Sequence, residues 1–121
     1  MPVNAIHAAA NISEKAKMGH GNMIEQGASV GTKVDIANNC IVGSNAIIGN
    51  HSVVEDFAHV GAGSVIGEGV KIEKDVFISS GVVIVAGLTI GKGARIGAGS
   101  VVVSDVKSKE TVFGNPAKSV S

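Results

Sequence analysis

From Ile6 onward, a step of six residues always lands on an apolar side chain: Ile6, Ile12, Met18, Ile24, Val30, Ile36, Val42, Ile48, Val54, Val60, Ile66, Ile72, Ile78, Ile84, Ile90, Ile96 and Val102. There is no insertion and no miss along this run. The residue that follows is Gly at Gly19, Gly31, Gly43, Gly49, Gly61, Gly67, Gly91 and Gly97, which predicts a tight corner where a side chain would restrict the backbone. Four residues after each aliphatic comes a second, smaller inward position. It is held by Ala10, Ala16, Ala28, Cys40, Ala46, Ser52, Ala58, Ser64, Ala94 and Ser100, and filled more fully by Val34, Val70, Val76, Val82 and Leu88.

A helix needs apolar spacings of three and four, and an antiparallel meander needs turn signals about every eight to twelve residues. Neither pattern is present. A six-residue unit fits one short strand plus one corner, and three units close a triangular coil, so residue n lies over residue n+18. The fold expected is an all-β, parallel β-helix of about five to six coils over residues 1–106, followed by a C-terminal extension over 107–121. Ile6, Ile24, Val42, Val60, Ile78 and Ile96 should form one internal ladder, where β-branched side chains are stiff and suit a pleated surface.

Composition sharpens this picture. The 121 residues contain 17 Gly, three Phe and no Trp or Tyr, so the core rests on Val, Ile and Ala. Ten Lys and Arg balance ten Asp and Glu, which leaves no overall field to draw the chain to nucleic acid or to a membrane surface. A lone Cys40 excludes an intramolecular disulfide and falls on a small inward position, where it reads as packing. No signal peptide opens the chain, and no apolar run approaches the ~20 residues that cross a bilayer, so a cytoplasmic protein is expected. Prisms with open ends and few aromatics bury little alone, which favours side-by-side association.

The order aliphatic, Gly, two variable residues, small, variable resembles the hexapeptide-repeat acyltransferases. Within them the chain is most similar to the sugar acetyltransferases that modify sialic acid or UDP-linked amino sugars such as the bacillosamine precursor. Ile6-His7-Ala8-Ala9-Ala10 resembles their "IHPSA" opening, EDFAHVGAGSVIG (Glu55 to Gly67) resembles "GDFVHIAPGA", and FGNPAK (Phe113 to Lys118) matches "GNPAK". The resemblance implies a left-handed coil, a homotrimer with sites between neighbouring prisms, acetyl-CoA as co-substrate, no metal, and a sugar or nucleotide-linked amino sugar as acceptor. Members of this group carry a sugar-nucleotide-binding domain before the β-helix, whereas here the first coil begins almost at once. The position of the family's catalytic His is Asn50 here, with an imidazole one residue later at His51; the family's second His is kept as His59.

Acetyl transfer needs a base near the acceptor, a donor for the thioester oxygen and a groove for coenzyme A. The catalytic candidates are His59, placed beside Glu55 and Asp56, which would orient an imidazole, then His51, and Asn50 as a binding group. The family's backbone donor maps to Glu68, beside Gly67. Phosphate contacts are expected from Lys92, Arg95 and Lys118, and close approach of the pantetheine arm along Gly97 and Ala98. Phe57 and Phe77, outside the inward positions, read as interface residues. A zinc carbonic anhydrase on the same fold would need three suitably spaced His, and an ice-binding helix would need ranks of Thr; neither pattern is present. The remaining alternative is a catalytically weak or inactive trimeric scaffold.

Overall fold

The computed structural model describes residues 3–120 and contains strands and turns only. Each six-residue unit contributes a two-residue strand, from Ala5–Ile6 through Val101–Val102. The strands stack into three parallel sheets, called here faces A, B and C in the order the chain visits them. Face A has eight strands, B six and C five. One strand is laid down per turn, so the six strands of face B count the turns of a β-solenoid.

The register confirms the eighteen-residue turn. Ile6 pairs with Ile24, Ile24 with Val42, Val42 with Val60, Val60 with Ile78 and Ile78 with Ile96. In each two-residue strand the second residue points inward and the first outward. Ile48 and Ile66 are each only 1% exposed, and every ladder residue from Ile24 to Val102 is buried. The first turn differs: Ile6 is 45% exposed and Ile12 and Met18 are half-buried, because no described turn stacks beneath them.

The small inward positions carry the polar part of the core. The Ser52 hydroxyl donates to the Gly67 carbonyl at 2.9 Å and accepts from the Val70 N–H; Ser64 does the same for Ser79 and Val82 two units later. Asn22, at this position and buried, donates to the Ala37 carbonyl and accepts from the Cys40 N–H. Cys40 itself is fully buried, and burial above all raises its thiol from the ordinary value. A protonated, enclosed thiol is a packing group.

The corners correct one expectation. The Gly residues that follow the aliphatics do not adopt positive φ. They are small because the next turn passes directly against them: a Cβ on Gly43 would lie 2.6 Å from the Ala62 nitrogen, and one on Gly49 2.7 Å from that of Glu68. Conformational freedom is needed two residues later. There an unbroken series with positive φ runs Gly21, Gly27, Lys33, Asn39, Asn45, His51, Phe57, Gly63, Gly69, Asp75, Gly81, Gly87, Gly93, Gly99.

Beyond Val102 the stride shortens. Val106 forms a bridge to Ile90 and Val112 pairs with Ile96, both steps of sixteen instead of eighteen, and both valines are buried. Thr111–Gly114 adds a last parallel strand to face A, and Ala117–Ser119 turns back antiparallel to it. No helix among the described residues is long and apolar enough to cross a membrane.

Candidate functional site

His59 opens the strand His59–Val60 on face A, and because Val60 points inward the imidazole points out, half-buried. Its strand neighbours in register are Ile41 below and Phe77 above. The Phe77 ring meets the imidazole edge-on, with centroids 4.8 Å apart and planes at 89°. Arg95 follows Phe77 in register and holds its guanidinium 5.1 Å from the centre of that ring, a distance at which a cation is attracted to an aromatic face. His59, Phe77 and Arg95 form a file on the outside of three consecutive turns.

Glu55 and Asp56 do not orient this imidazole. Glu55 lies 3.9 Å from the Lys71 ammonium. Asp56 reaches down to the previous turn, where one oxygen accepts from both the N–H and the side-chain amide of Asn38, at 3.0 and 3.2 Å. The acids sit on the corner before the strand, while His59 stands on the flat face, so aromatic packing fixes the ring. Phe77 is thereby a partner of His59, and Phe57 stands exposed on a corner with φ of 62°.

Arg95 leads to the cofactor candidates. Gly97 and Ala98 form the corner between faces A and B directly after it. Gly97 is not open: a Cβ there would meet the Phe113 ring at 2.5 Å, whereas one on Gly99 would meet nothing within 4 Å. Lys118 pairs in register with Phe113 in the final antiparallel strand. Lys92 lies on the opposite edge of face A, its N–H donating to Glu73 at 3.0 Å. Lys92, Arg95, Gly97, Ala98 and Lys118 thus bracket one end of face A, with His59 two strand spacings below Arg95, about 10 Å.

Asn50, His51, Gly67 and Glu68 stand elsewhere, on the corner between faces B and C. The Asn50 side-chain oxygen accepts from the Thr32 N–H at 3.0 Å, capping the previous turn. His51 is exposed with φ of 65°, and its N–H donates to the Thr32 carbonyl. The Glu68 carbonyl accepts from Gly87, while its own N–H has no hydrogen-bond partner among the described residues. Asn50 and Glu68, with Asn11, Ser13, Ser29 and Ile47, line a groove on face B; His51 and Gly67 stand outside it. Within one chain the two imidazoles therefore belong to opposite sides of the prism: His59 on face A, His51 on the corner across from it. Among the described residues no cluster of three or more His, Cys, Asp or Glu is arranged to hold a metal ion.

The bacterial transferase hexapeptide (six repeats) family matches residues 69–104. No curated protein sequence matches the chain. Among solved structures, the acetyltransferase domain of PglB from Neisseria gonorrhoeae, in complex with acetyl coenzyme A, superposes with a TM-score of 0.96 at 29% identity, over 97% of this chain and 57% of that one. A variant of perosamine N-acetyltransferase from Caulobacter crescentus, in complex with CoA and GDP-perosamine, matches at 32% identity and a TM-score of 0.72, over 99% of this chain and 57% of that one. AntD from Bacillus cereus, an N-acyltransferase in complex with dTDP and 3-hydroxybutyryl-CoA, shares the fold with a TM-score of 0.92 at 18% identity. The chain spans just over half the length of the first two.

Proposed function

We propose that this chain, whose residues 69–104 match the bacterial transferase hexapeptide (six repeats) family, transfers an acetyl group from acetyl-CoA to an amino or hydroxyl group of a sugar, most simply a nucleotide-linked amino sugar, in the cytoplasm. The observation that carries this reading is the file His59–Phe77–Arg95 on face A, with the basic end of that face above it. It supports the reading because an imidazole and a basic end share one surface, as a thioester donor with a long phosphorylated tail requires. Acetyl-CoA supplies the activated acetyl group. His59 takes the proton from the attacking acceptor nitrogen or oxygen through whichever ring nitrogen is unprotonated; the thioester C–S bond then breaks, and the departing coenzyme A thiolate takes that proton back. The perpendicular contact with Phe77 limits how that ring can turn. Arg95, Lys92 and Lys118 meet phosphate oxygens through charge-assisted hydrogen bonds, and the open corner at Gly99 admits the pantetheine arm beside Ala98. The Glu68 N–H is the donor to the thioester oxygen as negative charge develops there.

The Glu68 corner and His59 lie on different sides of one prism, so this reading requires a second copy. Face A exposes Met23 and Ile41 on its outside, and face B exposes Ile47, Val65 and Val83. Face C presents Lys17, Asp35 and Lys71 instead. Two apolar faces and one polar face suit a closed trimer in which face A of one copy meets the B side of the next. Such a groove brings His59 of one protomer to Asn50, His51 and Glu68 of its neighbour.

Acceptor-dependent release of free coenzyme A, followed with a panel of nucleotide-linked amino sugars, tests the proposal. His59→Ala should lower the rate by roughly 10²- to 10⁴-fold, and His51→Ala by less. A non-catalytic scaffold is the second reading, favoured by the absence of any carboxylate partner for either imidazole among the described residues. It prevails if no acceptor supports turnover.

A further inference from the structure

Three lysines, Lys15, Lys17 and Lys33, surround a small pocket completed by Val34 and Asp35 at the lower end of the corner between faces B and C. None is neutralised by a close carboxylate. The ion pairs among the described residues are those of Lys71 with Glu55 and Glu73. Asp35 is in register with Lys17, and the exposed Glu14 precedes Lys15 in the chain, yet neither forms an ion pair with these ammonium groups.

The backbone sets where these side chains stand. The eighteen-residue register stacks Lys15, Lys33, His51, Gly69 and Gly87 along one corner tip. Gly69 and Gly87 have φ of 68° and 80°, values natural to Gly; Lys33 and His51 take φ of 57° and 65° in the same place. The same conformation recurs on the other corners at Asn39, Asn45, Phe57 and Asp75, so it belongs to the repeat; here it holds the Lys33 and His51 side chains out at the tip of the ridge. On the other side of this ridge lies the face B groove, whose Asn11, Ser13, Ser29 and Asn50 offer amide and hydroxyl groups. A ligand straddling the ridge would meet ammonium groups on one side and hydrogen-bonding groups suited to a sugar on the other.

We propose that Lys15, Lys17 and Lys33 bind the diphosphate of a nucleotide-linked acceptor, with its sugar in the face B groove beside Asn50 and His51. This deepens the acetyltransferase reading and rests on it for the identity of the ligand. Coenzyme A also contains a diphosphate, but the reading above assigns that group to the basic end of face A, which leaves this ridge to the acceptor.

Calorimetric titration of the full chain with UDP and with inorganic pyrophosphate, at low salt, tests the site. Lys33→Gly and Lys15→Ala should each weaken UDP binding about tenfold or more, as loss of a charged hydrogen bond does. Lys33→Gly should also remain folded and no less stable than the parent, since it relieves the backbone, and Lys74→Ala should bind UDP normally. Saturating acetyl-CoA should leave UDP binding intact. UDP binding that is absent, or indifferent to the lysine substitutions, overturns the proposal. So does displacement of UDP by acetyl-CoA, which would assign the ridge to the cofactor. The two readings fail separately: a chain that binds acetyl-CoA but not UDP loses the ridge alone, and one that binds UDP but not acetyl-CoA keeps the diphosphate site and loses the transferase.

Discussion

An added methyl group would have opposite consequences at two glycines one turn apart. On Gly43 it would press against the Ala62 nitrogen at 2.6 Å, while on Gly63, where φ is 70°, it would meet nothing within 4 Å. The first site is limited by space and the second by backbone conformation. Gly43→Asn should therefore cost about 1–3 kcal/mol through overpacking. Gly63→Asn should cost well under 1 kcal/mol, since Asn tolerates the left-handed region and already occupies it at Asn39 and Asn45. Urea denaturation of the two variants measures the difference. The sequence announces the first set through its place after each aliphatic, but it does not separate crowding from conformation. The second set is hidden because Lys33, His51 and Phe57 interrupt its glycines. The partner of His59 is overlooked for a different reason: the eighteen-residue turn already puts Phe77 over it, but Glu55 and Asp56 are nearer in the chain and carry the charge that draws attention first.

Among the strands, the outcome of a substitution depends on the turns above and below. Ile48 is enclosed by turns on both sides, whereas Ile6 is at the open first turn and 45% exposed. Ile48→Ala should lower stability by about 2–5 kcal/mol, and Ile6→Ala by less than about 1 kcal/mol, since little of its surface leaves water; thermal unfolding followed by circular dichroism checks both. The stride of six made the strand positions, the inward residues and the parallel register readable before any coordinates. It did not reach Val106 and Val112, because the final turn closes in sixteen residues. Asn22 also escaped it, since a buried amide breaks the small-residue pattern and is tolerated only because its hydrogen bonds reach Ala37 and Cys40.

For the molecule as a whole, the three faces differ in what they offer to a neighbour. Val65 is central on face B and 38% exposed, and Lys71 stands on face C. Val65→Glu should dissociate the proposed trimer without unfolding the prism, read as a fall in mass by sedimentation, while Lys71→Ala should leave the mass unchanged. The division of candidate residues between face A and the corner opposite it follows from the three-unit turn itself, and it is missed when His51 and His59 are weighed by their closeness in the chain and not by the face each unit occupies.

The claim on which all of this converges is that the chain binds acetyl-CoA. Thermal unfolding with and without acetyl-CoA tests it most directly: at a hundredfold excess over Kd, a ligand bound only by the folded state adds about 2.7 kcal/mol and raises Tm by several degrees, and Arg95→Ala should diminish that rise. A melting temperature indifferent to saturating acetyl-CoA would contradict the account.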